Sequence, residues 1–368
     1  MKTDRTRRLP PFYTHVIGSL PRPRLVLDVL ERRDQIEPAR YRQVMDELVV
    51  FAIRLQEEAG LEVVSDGEWR RRHYTDEFLL RIGGFQRVRE FRHQGQTKKA
   101  LVVTERMQYR EPVFRQEAAF LAAHTRRLTK FALPSPFLIG IRYWEERHSK
   151  AAYPTREAFM EHLSAILRVE ADSLAQEGID IVQLDDPALT YFCDRRLTSG
   201  QRIHDERLDK QWDPDREIPL AVDFINMVAE GLRAEVHLHC CHSVYKRMSD
   251  VTGNYAPLLP RLRGLKVDQL NLEFAYGGTG EVQDLELLPP HLSVGMGVVD
   301  VRSERTAGPE QVALLGAQGA RLLGRERVSL NPDCGFAPDA HEPPSIDEAF
   351  AKLKILTAGA RLLRERMA

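Results

Sequence analysis

Cysteine is scarce in this 368-residue chain: there are four, Cys193, Cys240, Cys241 and Cys334, unevenly spaced. So few cannot staple so long a chain, which excludes a disulfide framework and leaves thiols for other chemistry. Long hydrophobic runs are missing as well; none approaches the ~20 residues that span a bilayer. Residues 1–11 are basic and polar with no apolar segment behind them, unlike a secretory signal. An excess of one charge sign is absent too, with 53 Lys and Arg against 54 Asp and Glu. A nucleic-acid groove needs clustered positive charge, so nucleic acid is excluded as a partner, and a membrane with it. The stretch Glu68-Trp69-Arg70-Arg71-Arg72-His73 is expected to make surface or small-anion contacts instead. No internal repeat or low-complexity tract is present. The expectation is a cytoplasmic protein with reduced thiols.

What is present is a strand–helix rhythm. Short apolar, strand-like runs fall at residues 14–19, 61–65, 131–139, 179–187, 235–241, 267–273, 292–299 and 328–331. Helical periodicity falls at 41–59, 156–177, 220–233, 255–263, 310–323 and 346–364. Such alternation predicts a parallel sheet. Chemically interesting residues sit at the C-terminal ends of the strands, which favours a (βα)8 TIM barrel formed by residues 1–368 as a single domain. A doubly wound open sheet is the competing architecture. Residues 83–112 are charged and alternate in places, and predict an inserted antiparallel segment. Residues 337–345 predict a surface loop.

Three distant stretches carry residues that favour zinc: Val236-His237-Leu238-His239-Cys240-Cys241-His242, Leu270-Asn271-Leu272-Glu273-Phe274 and Asn331-Pro332-Asp333-Cys334-Gly335. Strand residues alternate faces, so His239 and Cys241 share one and can reach a single ion. One His, two Cys and one Glu meet the tetrahedral count zinc prefers. The same residues have plain readings, because Cys is often a small buried hydrophobe. Cys240, on the other face, is expected in the core, and Cys193 to have no metal role. Thiolate ligands reduce zinc's Lewis acidity, so a sulfur-rich site suits activation of a thiol better than of water. A free thiol has a pKa near ~8.5, and coordination strips its proton.

With the Ile17-Gly18-Ser19 turn, Asp66-Gly67-Glu68 and Gln183-Leu184-Asp185-Asp186-Pro187-Ala188-Leu189, these motifs run along nearly the whole chain. In that order the chain resembles the catalytic barrel of cobalamin-independent methionine synthase. The resemblance implies that His239, Cys241, Glu273 and Cys334 bind Zn2+. It also implies that Ile17, Gly18 and Ser19 contact the amino-acid part of homocysteine, with Glu68 and Asp185 near its ammonium. An amino-acid zwitterion needs such carboxylates for its ammonium and N–H or hydroxyl donors for its carboxylate. The methyl donor is expected to be methyl-tetrahydrofolate or a methylated corrinoid protein.

Three departures stand out. The family's full-length form carries a second, N-terminal barrel that this chain lacks. Two positions after Asp300 the family has a His, a proton donor; here stands Arg302, a poor acid. Asp300 itself is a candidate catalytic residue, orienting a proton relay or capping a loop. His15 and His242 are unassigned proton carriers. Where the family has a second Glu near the acidic turn, this chain has Tyr191. The nearest alternative activity keeps zinc and changes the thiol, as in alkylation of coenzyme M by an epoxide. A metal-free decarboxylase-like barrel and a structural zinc site are further alternatives.

Overall fold

The predicted rhythm becomes a parallel sheet in the computed structural model, which describes residues 4–93, 96–200, 212–244, 246–338 and 344–367. Its described strands are β1 (Val63–Val64), β2 (Phe85–His93), β3 (Gln96–Val103), β4 (Leu128–Pro134), β5 (Ile181–Asp185), β6 (Glu235–His239), β7 (Gln269–Glu273), β8 (Ser293–Val299) and β9 (Val328–Pro332). Seven of them form one sheet in the order β1-β4-β5-β6-β7-β8-β9, every pair parallel. Strands β5, β6, β7 and β9 are buried along their whole length. That is what a parallel sheet covered by helices requires, although the strands alternate apolar with polar residues, as in Glu235-Val236-His237-Leu238-His239 and Gln269-Leu270-Asn271-Leu272-Glu273.

The sheet curls. Thr14 bridges Leu330 on one edge strand and His15 bridges Val63 on the other, both in parallel sense. Residues 16–17, expected as strand, form no ladder, and the Gly18-Ser19 turn expected at the strand's end follows them with a bend at Gly18. A separate antiparallel hairpin, β2 paired with β3, occupies the inserted region. Residues 94–95 of that insertion and 339–343 of the expected surface loop lie outside the described residues.

Capping explains where the long helices begin. Pro38–Ala59 starts with Glu37, whose carboxylate accepts from the Ala39 and Arg40 N–H groups, and stops at Gly60 with φ 91°. Thr155 and Ser345 cap Arg156–Gln176 and Ile346–Arg366 in the same way. Two expectations need correction. Residues 131–139 are not one strand: β4 ends at Pro134, and Ser135 caps a helix, Pro136–Tyr143, with proline at its first turn. The run was apolar throughout because both elements are buried. The helix expected at 255–263 shrinks to a single tight turn at Leu259–Leu262. Pro257 and Pro260 remove two of the N–H donors that a longer helix needs.

The interior of the curled sheet is polar and extensively hydrogen-bonded. Lys130 Nζ donates to Gln183 Oε1 at 2.9 Å and meets His15 Nδ1 at 2.9 Å. Asn271 also donates to Gln183 Oε1, at 3.0 Å, and Gln269 donates to Asn271 at 2.8 Å. Burial pushes Lys130 down to about 7 and His15 well below its ordinary value, so burial favours the neutral form of both. His15 therefore belongs to the packed interior. Gly295 makes room for the amides: a Cβ there would overlap the side chains of Asn271, Asn331 and Gln269. Gly295→Ala is predicted to cost about 1–3 kcal/mol of stability through overpacking. Urea unfolding checks this; an unchanged midpoint would show that the amides can move aside.

Candidate metal and substrate site

The parallel register carries the key residues to one end of the sheet. Asp185 and His239, the last residues of β5 and β6, pair directly. Glu273, the last of β7, pairs with Gly297. Cys241 and Cys334 lie two residues beyond β6 and β9. In parallel sheets wrapped by helices, ligands meet the carboxyl ends of the strands. Here the Cys334 thiol contacts the Cys241 sulfur at 3.3 Å, across 93 positions of sequence. Ligand atoms of His239, Cys241 and Cys334 all lie within 4.8 Å of one another, and all three residues are buried.

This donor set fits a zinc ion. His239 Nδ1 bonds Asp185 Oδ1 at 3.0 Å, which fixes the ring. Its Nε2 is buried, makes no well-formed hydrogen bond and lies beside the Cys241 sulfur. A buried ring nitrogen without a proper partner is costly unless something occupies its lone pair. The electrostatics also call for a cation. The hydrogen bond from Cys334 pulls Cys241 down to about 5, with His239 helping against burial. The same contact, with burial, holds Cys334 well above the usual thiol value. Burial opposes charge on His239, but Cys241 and Asp185 outweigh it and raise it to about 10. One thiolate, one thiol and one imidazolium together hold the protons that a metal would displace.

Glu273 does not join the three. Arg302 Nη2 donates to its Oε1 at 2.7 Å, while the His242 N–H donates to its Oε2 at 3.0 Å and His242 Nδ1 meets that oxygen at 2.8 Å. Burial works against its charge, yet Arg302 and His242 outweigh it and hold Glu273 at about 2. His242 is thus a partner of Glu273, its other ring nitrogen facing the Gly253 carbonyl at 2.8 Å. Asp300 is used locally: its oxygens accept from the N–H groups of Arg302 and Ser303. Cys240 is core, as expected, and Cys193 is buried beside it.

A cavity of about 420 Å³ opens onto the sulfur pair, and Ile17, Ser19, Glu68 and Asp185 line it. The Ile17 carbonyl accepts from Gln183, and the Gly18 carbonyl from Ser65, so the turn is anchored to both neighbours. A Cβ at Gly18 would sit 2.5 Å from Glu68 Oε1, so a larger residue there would displace that carboxylate. Glu68 adopts φ 58°, a left-handed conformation that side chains rarely take, and its Oε2 is buried without a partner. Burial pushes Glu68 up to about 7, against the pull of Arg71.

Several cavity residues were not legible in the sequence. Arg142 and Tyr74 line one wall, and Arg142 donates to the hydroxyls of Tyr74 and Tyr191. Tyr191 is the position where a second carboxylate was missed. Arg87 and Lys99 of the hairpin close another side. The Arg-rich stretch is not a surface feature throughout: Arg71 is buried between the rings of Phe114 and Phe131, at 4.4 and 4.6 Å. A charge run offers no sign of which member turns inward.

A family model described as the cobalamin-independent synthase catalytic domain matches residues 12–361. The chain belongs to the cobalamin-independent methionine synthase family. Among methionine synthases it is similar to that of Pyrococcus horikoshii, 29% identical over 335 residues, 89% of this chain and 87% of that one. The methionine synthase of Thermococcus kodakarensis is 28% identical over 367 residues, 98% of this chain and 96% of that one. In fold the chain is similar to a B12-independent methionine synthase from Shewanella sp. W3-18-1 solved with selenomethionine. The TM-score is 0.77 at 23% identity, over 97% of this chain and 98% of that one.

Glu68 gives this site a testable strain. Its pKa is raised on folding, so the folded chain prefers the proton. Its contribution is harmless below about 4.5 and becomes a cost as pH rises through about 7. Glu68→Gln is therefore predicted to stabilise the substrate-free protein at pH 8 by roughly 2–3 kcal/mol, with the gain shrinking toward pH 5. Urea unfolding at the two pH values measures it; a variant less stable at pH 8 would contradict the assignment.

Proposed function

We propose that this member of the methionine synthase family is a zinc-dependent S-methyltransferase that methylates homocysteine to methionine. We also read residues 14–15 as the first strand of a closed (βα)8 barrel, with residues 1–368 forming one domain. The observation that carries the functional reading is the shared cavity. The two cysteines of the sulfur pair and the buried carboxylate residue Glu68 line the same space. Only a substrate bearing both a thiol and a cation uses both.

His239, Cys241 and Cys334 would hold the ion. Zinc there supplies the positive charge that lets a substrate thiol give up its proton near neutral pH. The chain's own residues do the rest. Glu68 and Asp185 receive the ammonium, and Ser19 with the 17–19 backbone receives the carboxylate. Asp185 also orients His239 through its Nδ1, which ties substrate binding to the metal ligand. Arg142 and the hairpin side chains Arg87 and Lys99 wall the side from which a methyl donor would enter, and alignment of sulfur with methyl carbon is their contribution. The substrate sulfur forms a bond to the methyl carbon, and the donor leaves with the electron pair of the broken bond.

Arg302 bears on the donor. Its guanidinium is committed to Glu273 and cannot serve as an acid. Asp300 serves this reading by fixing the Arg302 backbone. A departing tetrahydrofolate amine needs a proton, whereas a departing cobalt centre keeps the electron pair and needs none. A methylcorrinoid donor therefore suits this site better than methyl-tetrahydrofolate. The coenzyme M alternative suits it less, because a sulfonate thiol has no ammonium for Glu68 and Asp185.

The test is an assay of the zinc-loaded chain with homocysteine, offering methylcobalamin and methyl-tetrahydrofolate separately. Methionine is expected, faster from methylcobalamin. Methionine from neither would overturn the reading. Glu68→Lys should lower kcat/KM for homocysteine at least 100-fold while zinc content stays unchanged; a variant that keeps its activity would remove the ammonium contact.

A further inference from the structure

Resting on that zinc reading, we propose that Arg302 holds Glu273 out of the metal's ligand set. His239, Cys241 and Cys334 alone then bind the ion, and a fourth position is open to the incoming sulfur. The argument begins with occupancy. Both Glu273 oxygens already have strong partners: Arg302 Nη2 at 2.7 Å on one, and the His242 N–H and ring on the other. Glu273 and Arg302 are completely buried at this contact. Pulling the carboxylate onto a metal would strip a buried guanidinium of its counter-charge, a penalty that a solvent-exposed pair would escape.

Arg302 cannot follow Glu273 toward the ion, because it is pinned on other sides. Its Nη2 also donates to the Ser243 carbonyl at 2.7 Å. Its guanidinium lies 4.7 Å from the Tyr276 ring centroid. Its backbone N–H donates to Asp300 at 2.7 Å. Glu273 is fixed as well, since the Tyr255 hydroxyl meets its backbone N–H at 3.0 Å.

Charge balance points the same way. Zinc with two thiolates and a neutral imidazole sums to zero, and Glu273 with Arg302 sums to zero beside it. Adding Glu273 to the ion would leave one excess negative charge on the metal set and a bare cation next to it. The arrangement found instead lets the excess negative charge arrive with the substrate sulfur, next to a guanidinium already in position. Glu273 is then a positioning residue for Arg302 and not a ligand. An open position among three protein ligands is the usual mark of a catalytic zinc site.

Metal affinity tests this on the full chain, measured by zinc competition with a chromophoric chelator. Glu273→Gln is expected to keep zinc affinity within about threefold of the parent, while Cys334→Ser loses at least 100-fold. A 100-fold loss in Glu273→Gln would overturn the inference. A parent chain that takes up no stoichiometric zinc would sink the zinc reading itself, and this inference with it. The reciprocal variant is Arg302→Met, with Arg302→Lys should the first fail to fold. Freed from its partner, Glu273 should enter the metal set. In the cobalt-substituted protein the visible absorption should change and the Kd for homocysteine should rise at least tenfold. A cobalt spectrum and a homocysteine Kd unaltered in both Arg302 variants would count against Arg302 as the restraint.

Discussion

The contact between the Cys241 and Cys334 sulfurs, 3.3 Å apart, is the constraint from which the site follows. Neither residue is held by its neighbours in sequence. Each lies two positions beyond a strand, and the strands β6 and β9 are separated in the sheet by β7 and β8. The sulfurs meet only because the sheet curls until its edges are joined through Thr14 and His15. A flat sheet would hold them roughly 14 Å apart, at about 4.8 Å per strand over three steps. Curvature is therefore what converts two ordinary buried cysteines into a pair of metal donors. The glycine at 295 and the interlocked amides of Gln183, Gln269 and Asn271 fill the interior that this curvature creates.

From that contact the electrostatics spread outward in a consistent order. Two sulfurs in a buried space favour a cation, and His239 answers with a nitrogen held by Asp185. Asp185 in turn accepts from Gln183 at 2.7 Å, and Gln183 accepts from Lys130 deep in the interior. The packed interior and the site are thus one hydrogen-bonded chain, and the stiffness of the first fixes the second. Glu68 stands apart from this chain. It is buried, in a rarely populated backbone conformation, with one oxygen unpartnered. Such a group lowers stability and persists where binding needs it.

Much of this was legible in the sequence, for definite reasons. The strand runs from Ile181 to Pro332 are short and separated by helical or turn segments, so a parallel sheet could be read from the alternation. His239 and Cys241 could be placed on one face by the two-residue period of a strand. Cys334 could be joined to them only through the resemblance to a family, because spacing alone says nothing of convergence. Pro136 showed the limit of apolar runs: strand and helix read alike when both are buried, and the Ser135-Pro136 cap was the signal that went unused. Arg302 showed a different limit. Its substitution for a histidine was visible as the loss of an acid, but its ion pair with Glu273 depends on the loop after β8 meeting the end of β7. The cavity wall of Arg142 and Tyr74 was hidden for the same reason.

The central claim is that His239, Cys241 and Cys334 meet around one zinc ion and leave room for a thiol. Zinc-edge X-ray absorption on the purified chain, recorded without and then with homocysteine, tests it most directly. The account predicts two sulfur neighbours at the zinc that become three when homocysteine is added. A sulfur count that stays the same on addition of the thiol would contradict it.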